Sequence, residues 1–140
     1  MTPHKVVLDT NLYIGWLNDG HHEEQMLGTG LVRYLSALVQ MELRVGAKTL
    51  PARRALDKLV RAYRSTGRMV TPDAAIFDEA GRVLQHLREQ GREIRRASLV
   101  QDVLIALSAR SIGAAVVTMD EDYEAIRRVA EFRLQMVPHP

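Results

Sequence analysis

Short apolar runs alternate along this chain with stretches of helical periodicity, and that alternation constrains the fold more than any other feature. Val6-Val7-Leu8 is a β-branched run that stops at Asp9, and Ala114-Ala115-Val116-Val117-Thr118 is another that runs into Met119-Asp120. Neither run alternates apolar with polar residues, so each reads as a strand covered on both faces. Arg68-Met69-Val70 and Leu134–Val137 read as two more strands. The pattern of Leu31–Ser36 fits either a strand or the first turns of a long helix. A strand is preferred, because Ser36 then caps a helix over Ala37–Val45 that Gly46 closes.

Further helices are expected from Leu12 to Leu17 and from Pro51, with Leu56, Leu59, Val60 and Tyr63 as the apolar stripe of the second. Another is expected over Asp73–Glu89, with Ala74, Phe77, Ala80, Leu84 and Leu87 inward. Ser98 and Gln101 have capping-box spacing and should open a nearly all-apolar helix through Arg110, and a short helix should span Tyr123–Ala130. Strands alternating with helices predict an α/β fold, a parallel sheet with helices on both faces. No repeat or linker interrupts the pattern, so residues 1–140 are expected to form one domain.

The 140 residues contain no cysteine, which excludes a disulfide scaffold, an iron–sulfur cluster and a thiol nucleophile. Met1-Thr2-Pro3-His4-Lys5 carries no signal-peptide pattern and no apolar run is long enough to span a bilayer, so a cytoplasmic protein is expected. The five histidines show no metal-ligand spacing, and His21-His22-Glu23-Glu24 reads as a solvated loop. Sixteen of the 19 basic residues are arginine, the side chain whose planar fork grips phosphate. Arg53, Arg54, Lys58, Arg61 and Arg64 share the outer faces of one helix, and with Arg92, Arg95 and Arg96 they could track a nucleic-acid backbone. Solvated helix faces in an Arg-rich chain account for the composition equally well.

Ligands of parallel sheets bind at the carboxyl ends of the strands, and acidic residues fall there. Asp9 ends the first strand and Asp120 follows a late one, although either alone fits a helix cap or a turn. Glu42 shares a helix face with Leu38 and Val45 and so points inward, where a bare carboxylate is costly unless an arginine pairs with it. Asp102 sits near the start of the apolar helix as its only ionised group before Arg110; stabilising the helix dipole is its ordinary explanation. If the four converge at ~6 Å and an effective dielectric of ~20, each of their six pairs repels by about 3 kcal/mol. Such a sum rivals the roughly 5–15 kcal/mol stability of a whole domain. A cluster of this kind survives only with protons, basic side chains or cations, and all-oxygen ligands select Mg²⁺ or Mn²⁺.

Four blocks carry a resemblance. Val6–Asn11, Leu35–Leu43, Asp102–Ala109 and Val117–Tyr123 resemble, in order and spacing, the signature blocks of PIN domains, most like VapC-type toxins of toxin–antitoxin pairs. The resemblance implies a three-layer domain with a five-stranded parallel sheet and Mg²⁺- or Mn²⁺-dependent endoribonuclease activity. It further implies that Asp9, Glu42, Asp102 and Asp120 are the catalytic acids. Asp9 and Asp102 would be the most direct metal ligands and Asp120 would bind the second cation or its waters. Glu42 would hold or deprotonate the attacking water, and Thr10, Asn11 and Thr118 would support. Asp122 would contribute at the periphery, and Tyr123 stands where the family usually has Phe. A homodimer and a VapB-type antitoxin are the implied protein partners; Leu12, Ile14, Trp16 and Leu17 are candidate apolar contacts, although core packing explains them equally well.

Three other readings compete. A PIN scaffold could bind RNA or protein without cutting, and a housekeeping PIN nuclease could process RNA. An aspartyl-phosphate enzyme would need an Asp-x-Asp or an acidic pair with a lysine, whereas residue 11 is Asn and no lysine follows Thr118.

Overall fold

The computed structural model describes residues 4–140; Met1–Pro3, the head of the stretch read above as lacking an export signal, lie outside it. Five strands alternate with seven helices: β1 (His4–Leu8), α1 (Thr10–Asp19), α2 (Glu23–Leu27), β2 (Leu31–Ser36), α3 (Ala37–Gly46), α4 (Leu50–Ser65), β3 (Met69–Val70), α5 (Ala74–Glu89), α6 (Ala97–Ser111), β4 (Ala115–Thr118), α7 (Asp122–Arg127) and β5 (Leu134–Met136). All strand pairs are parallel, in the order β3-β2-β1-β4-β5. From β1 the chain builds outward through β2 and β3, then crosses back to lay β4 against the free side of β1. That reversal puts a crevice at the carboxyl ends of β1 and β4, where Leu8 is in register with Val117.

The two central strands are apolar throughout their buried length because both faces are covered. Val6, Val7 and Leu8 are fully buried, as are Val116, Val117 and Thr118 to within 1 %. α6 packs against β4 and β2, and its Leu99, Val103, Ile105, Ala106, Leu107 and Ala109 lie in the same core. Fully burying side chains of this size contributes roughly 1.5–3 kcal/mol each. Ser36 ends β2 and caps α3 as expected, its Oγ accepting from the Leu38 amide at 3.1 Å. Thr49 does the same for α4, with Pro51 in the first turn.

Several local expectations are corrected. His21–Glu24 is not a plain loop: Glu23 opens α2, and Arg33 holds the end of this turn by donating to the carbonyls of Gln25 (2.6 Å) and Gly28 (2.8 Å). The Ser98–Gln101 capping box is not used. α6 begins at Ala97 with Arg96 in the cap position and no side-chain cap, and Arg96 instead pairs with Asp122. On α5 the buried stripe is Ile76, Ala80, Val83 and Leu87, leaving Phe77 more than half exposed. Leu12 is fully buried in the core, whereas Ile14 and Leu17 are open to solvent. Among the described residues no helix is long and apolar enough to cross a membrane.

Candidate metal centre

The site is assembled from four elements that end or begin at the crevice. β1 delivers Asp9, whose backbone amide still donates to the Val117 carbonyl at 2.9 Å, so the residue is held by the sheet. Its carboxylate also caps α1, Oδ1 accepting from the Thr10 amide at 2.9 Å. The cap expected of a lone strand-end Asp is therefore present, and it leaves the other oxygen facing the crevice. That oxygen, Oδ2, accepts from the Thr118 hydroxyl at 2.8 Å. Thr118 Oγ1 in turn accepts from the Asp120 amide at 2.9 Å and lies 3.5 Å from the Asn11 side-chain amide. One hydroxyl thus ties the end of β1 to the turn after β4. The turn is tightened further by Asp120 Oδ1, which accepts from the Asp122 amide at 2.9 Å.

α6 brings Asp102 to the same place from below. It is buried like Asp9, and among the described residues its Oδ2 has no hydrogen-bond partner. Asp102, Asp120 and Asp122 offer carboxylate oxygens that all lie within 4.8 Å of one another, close enough to share one cation. Asp9 and Glu42 stand outside this trio but act on it: both charges raise the Asp102 pKa. Asp122, expected at the periphery, is one of the three.

Glu42 reaches the crevice by a different route from the one expected. Val45 is 79 % exposed, and α3 turns Val39 and Leu43 into the core, so Glu42 lies at the margin of the buried stripe, half-buried beside Thr10 and Asp9. The ion pair that could have explained it is not there. Among the described residues no basic side chain pairs with Asp9, Glu42, Asp102 or Asp120; only Asp122 has a partner, Arg96 at 2.9 Å.

The electrostatics follow from that shortage of positive charge. Burial, followed by the Asp9 and Asp120 charges, pushes the Asp102 carboxyl up to about 8. Burial also raises Asp9, against the lowering effect of the Thr118 and Thr10 hydrogen bonds, and raises Glu42 with help from the Asp9 charge. The metal-free site therefore carries fewer negative charges at neutral pH than its carboxylates suggest. A cation bound here would displace protons.

Tyr123 was not expected in the site. It is fully buried at the start of α7, and its hydroxyl favours the charged forms of both Asp9 and Asp102 while meeting no partner at hydrogen-bond geometry. Burial and the surrounding carboxylates hold the phenol well above its ordinary range, so it remains protonated. The signal for it was the departure from Phe at this position.

These residues fit a divalent cation. Asp102 Oδ2, Tyr123 Oη, Thr10 Oγ1 and Asn11 Oδ1 are four of the five buried side-chain polar atoms without a partner among the described residues, and all four belong to the elements ringing the crevice. Unpartnered buried polar atoms cost about 1–3 kcal/mol each, so a ligand bound here would offset that cost. The donors are all oxygens, which suits Mg²⁺ or Mn²⁺ and not a soft metal.

Comparison with known proteins bears on the family and the fold. The family model described as the PIN domain matches residues 6–131. The chain is 26 % identical to a chain of VapBC-5, a VapBC-family toxin–antitoxin system from Mycobacterium tuberculosis, with TM-score 0.69 over 96 % of this chain and 100 % of that one. It is 25 % identical to a chain of the DNA-bound VapBC from Salmonella typhimurium, with TM-score 0.69 over 95 % and 98 %. A chain of Rickettsia felis VapBC2 bound to a promoter DNA fragment shares the fold at 19 % identity, TM-score 0.69, over 95 % and 98 %. No curated protein matches the sequence significantly.

Proposed function

The chain belongs to the PIN-domain family, and from that premise we propose that it is a Mg²⁺- or Mn²⁺-dependent endoribonuclease acting as the toxin of a toxin–antitoxin pair. The observation that carries the nuclease reading is the convergence of five carboxylates on one crevice with a single basic partner between them. An inert scaffold has no use for acids held this close at such electrostatic cost.

In this reading Asp102, Asp120 and Asp122 hold the cation, with Asp9 beside them, tied down through Thr118. A bound Mg²⁺ or Mn²⁺ supplies charge neutralisation at the phosphate and lowers the pKa of water. Glu42, half-buried and with a raised pKa, accepts the proton of the attacking water. Water attack forms a bond to phosphorus and breaks the bond to the 3′ oxygen, which takes a proton from solvent water and leaves as a hydroxyl. The products are then a 5′-phosphate and a 3′-hydroxyl. Arg96, paired with Asp122 at 2.9 Å, would meet a phosphate of the RNA. The arginines of α4 would follow the RNA backbone further out, through salt-sensitive contacts.

The toxin reading is supported by the similarity to the VapBC systems and by an apolar groove of about 380 Å³ between α1, α3 and α4, lined by Ile14, Leu17, Leu43, Ala47, Pro51 and Leu56. An amphipathic segment of a VapB-type antitoxin fits such a groove. Cytoplasmic location and a homodimer complete the proposal. The test is the chemistry of the ends: single-stranded RNA cleaved by the purified protein with Mn²⁺ should carry 5′-phosphates, and 2′,3′-cyclic phosphates would overturn the mechanism.

A further inference from the structure

We infer that the Tyr123 hydroxyl is a positioning group of the metal site, donating a hydrogen bond to Asp102 so that the carboxylate is held in its ligand orientation. The inference rests on the nuclease reading above. Tyr123 packs its ring edge-on against Phe132, centroids 6.5 Å apart, and is fully buried. A phenylalanine would make the same packing. The hydroxyl therefore adds nothing to the core except a polar atom removed from water without a partner. Such an atom needs a use elsewhere.

Two acceptors are near, and their existing bonds separate them. Both Asp9 oxygens are already engaged, one by the Thr10 amide and the other by the Thr118 hydroxyl. Asp102 Oδ2 has no partner. A donor and an acceptor, both without a partner among the described residues, thus belong to two residues that act on each other in one buried site. A carboxylate that binds a cation through one oxygen has the second free to accept from a neutral donor, and such outer contacts set ligand orientation and metal affinity. Thr118 does this for Asp9; Tyr123 is the corresponding group for Asp102.

The test compares the wild-type protein with Tyr123→Phe by Mn²⁺ titration calorimetry and by thermal unfolding in EDTA. The expected result is an Mn²⁺ affinity about tenfold weaker in the variant. Metal-free stability should be equal or greater, because the lost hydroxyl bonds nothing there. Equal Mn²⁺ affinity would overturn the inference while leaving the nuclease reading intact. A variant destabilised in EDTA would also overturn it, since the hydroxyl would then serve the core. Failure of the wild-type protein to bind Mn²⁺ would overturn both.

Discussion

Replacing Asp102 by Asn should stabilise the metal-free protein at alkaline pH, against the usual cost of altering a buried side chain. The Asp102 pKa is raised from 3.8 to about 8. Between those values the folded chain keeps a proton that the unfolded chain has released. The stability that the neutral acid contributes is therefore complete below pH 3.8 and drains away as pH rises through about 8. Each pH unit in that window costs about 1.4 kcal/mol. From pH 5 to 8 the ceiling is about 4 kcal/mol, a large fraction of the roughly 5–15 kcal/mol a domain has. Asn has nearly the same shape and no charge to desolvate, so the variant escapes this loss. Urea unfolding in EDTA at half-unit steps from pH 5 to 9 measures it. The variant's advantage should widen with pH and level off above about 8, reaching at least ~2 kcal/mol after relaxation of the neighbouring groups. Saturating Mn²⁺ should narrow that advantage, adding about 2.7 kcal/mol to the wild-type protein at a hundredfold excess over Kd and little to the variant. A variant advantage that is flat or shrinking with pH would refute the reasoning, because Asp102 would then not be the group under strain.

Thr118→Val keeps the shape of the side chain and removes the hydroxyl joining Asp9 Oδ2 to the Asp120 amide. It should cost about 1–3 kcal/mol in urea unfolding and weaken Mn²⁺ binding 10- to 100-fold by calorimetry. Gly28→Ala would place a Cβ 2.3 Å from the Glu24 carbonyl oxygen, so α2 or the turn after it must shift. A loss of roughly 1–3 kcal/mol is expected, and an unchanged unfolding midpoint would show the turn to be freely deformable. Leu17→Glu alters an exposed residue of the α1 groove, which should leave stability within about 0.5 kcal/mol. It should abolish co-purification of a co-expressed VapB-type antitoxin; retained capture would place the antitoxin elsewhere.

What was legible in the sequence is what local physics controls. β1 and β4 announced themselves as unbroken apolar runs because both their faces are buried, and the acids after them followed from the rule that parallel sheets bind ligands at their carboxyl ends. Ser36 was readable as a cap because capping is a contact between near neighbours. The misses depend on partners remote in sequence. α2 is five residues long and is held in place by Arg33, across the turn on the following strand. α6 starts at Ala97, one residue before Ser98, with Arg96 at the cap position paired to Asp122, 26 residues away. Glu42 sits at the margin of the buried stripe, which the shared face with Val45 does not predict, since Val45 lies in solvent; among the described residues no ion pair accompanies the acid. Asp122 and Tyr123 join the site because α7 starts directly under the turn that Asp120 tightens, and spacing alone does not show this.

The most direct test of the central claim is cleavage of an end-labelled single-stranded RNA by the purified protein, with Mn²⁺ or with EDTA, beside Asp102→Asn. Cleavage that requires Mn²⁺ and is lost in the folded variant is the predicted result. Cleavage that persists in EDTA, or that the variant retains at the wild-type rate, would contradict the assignment of this acidic crevice as a metal-dependent nuclease site.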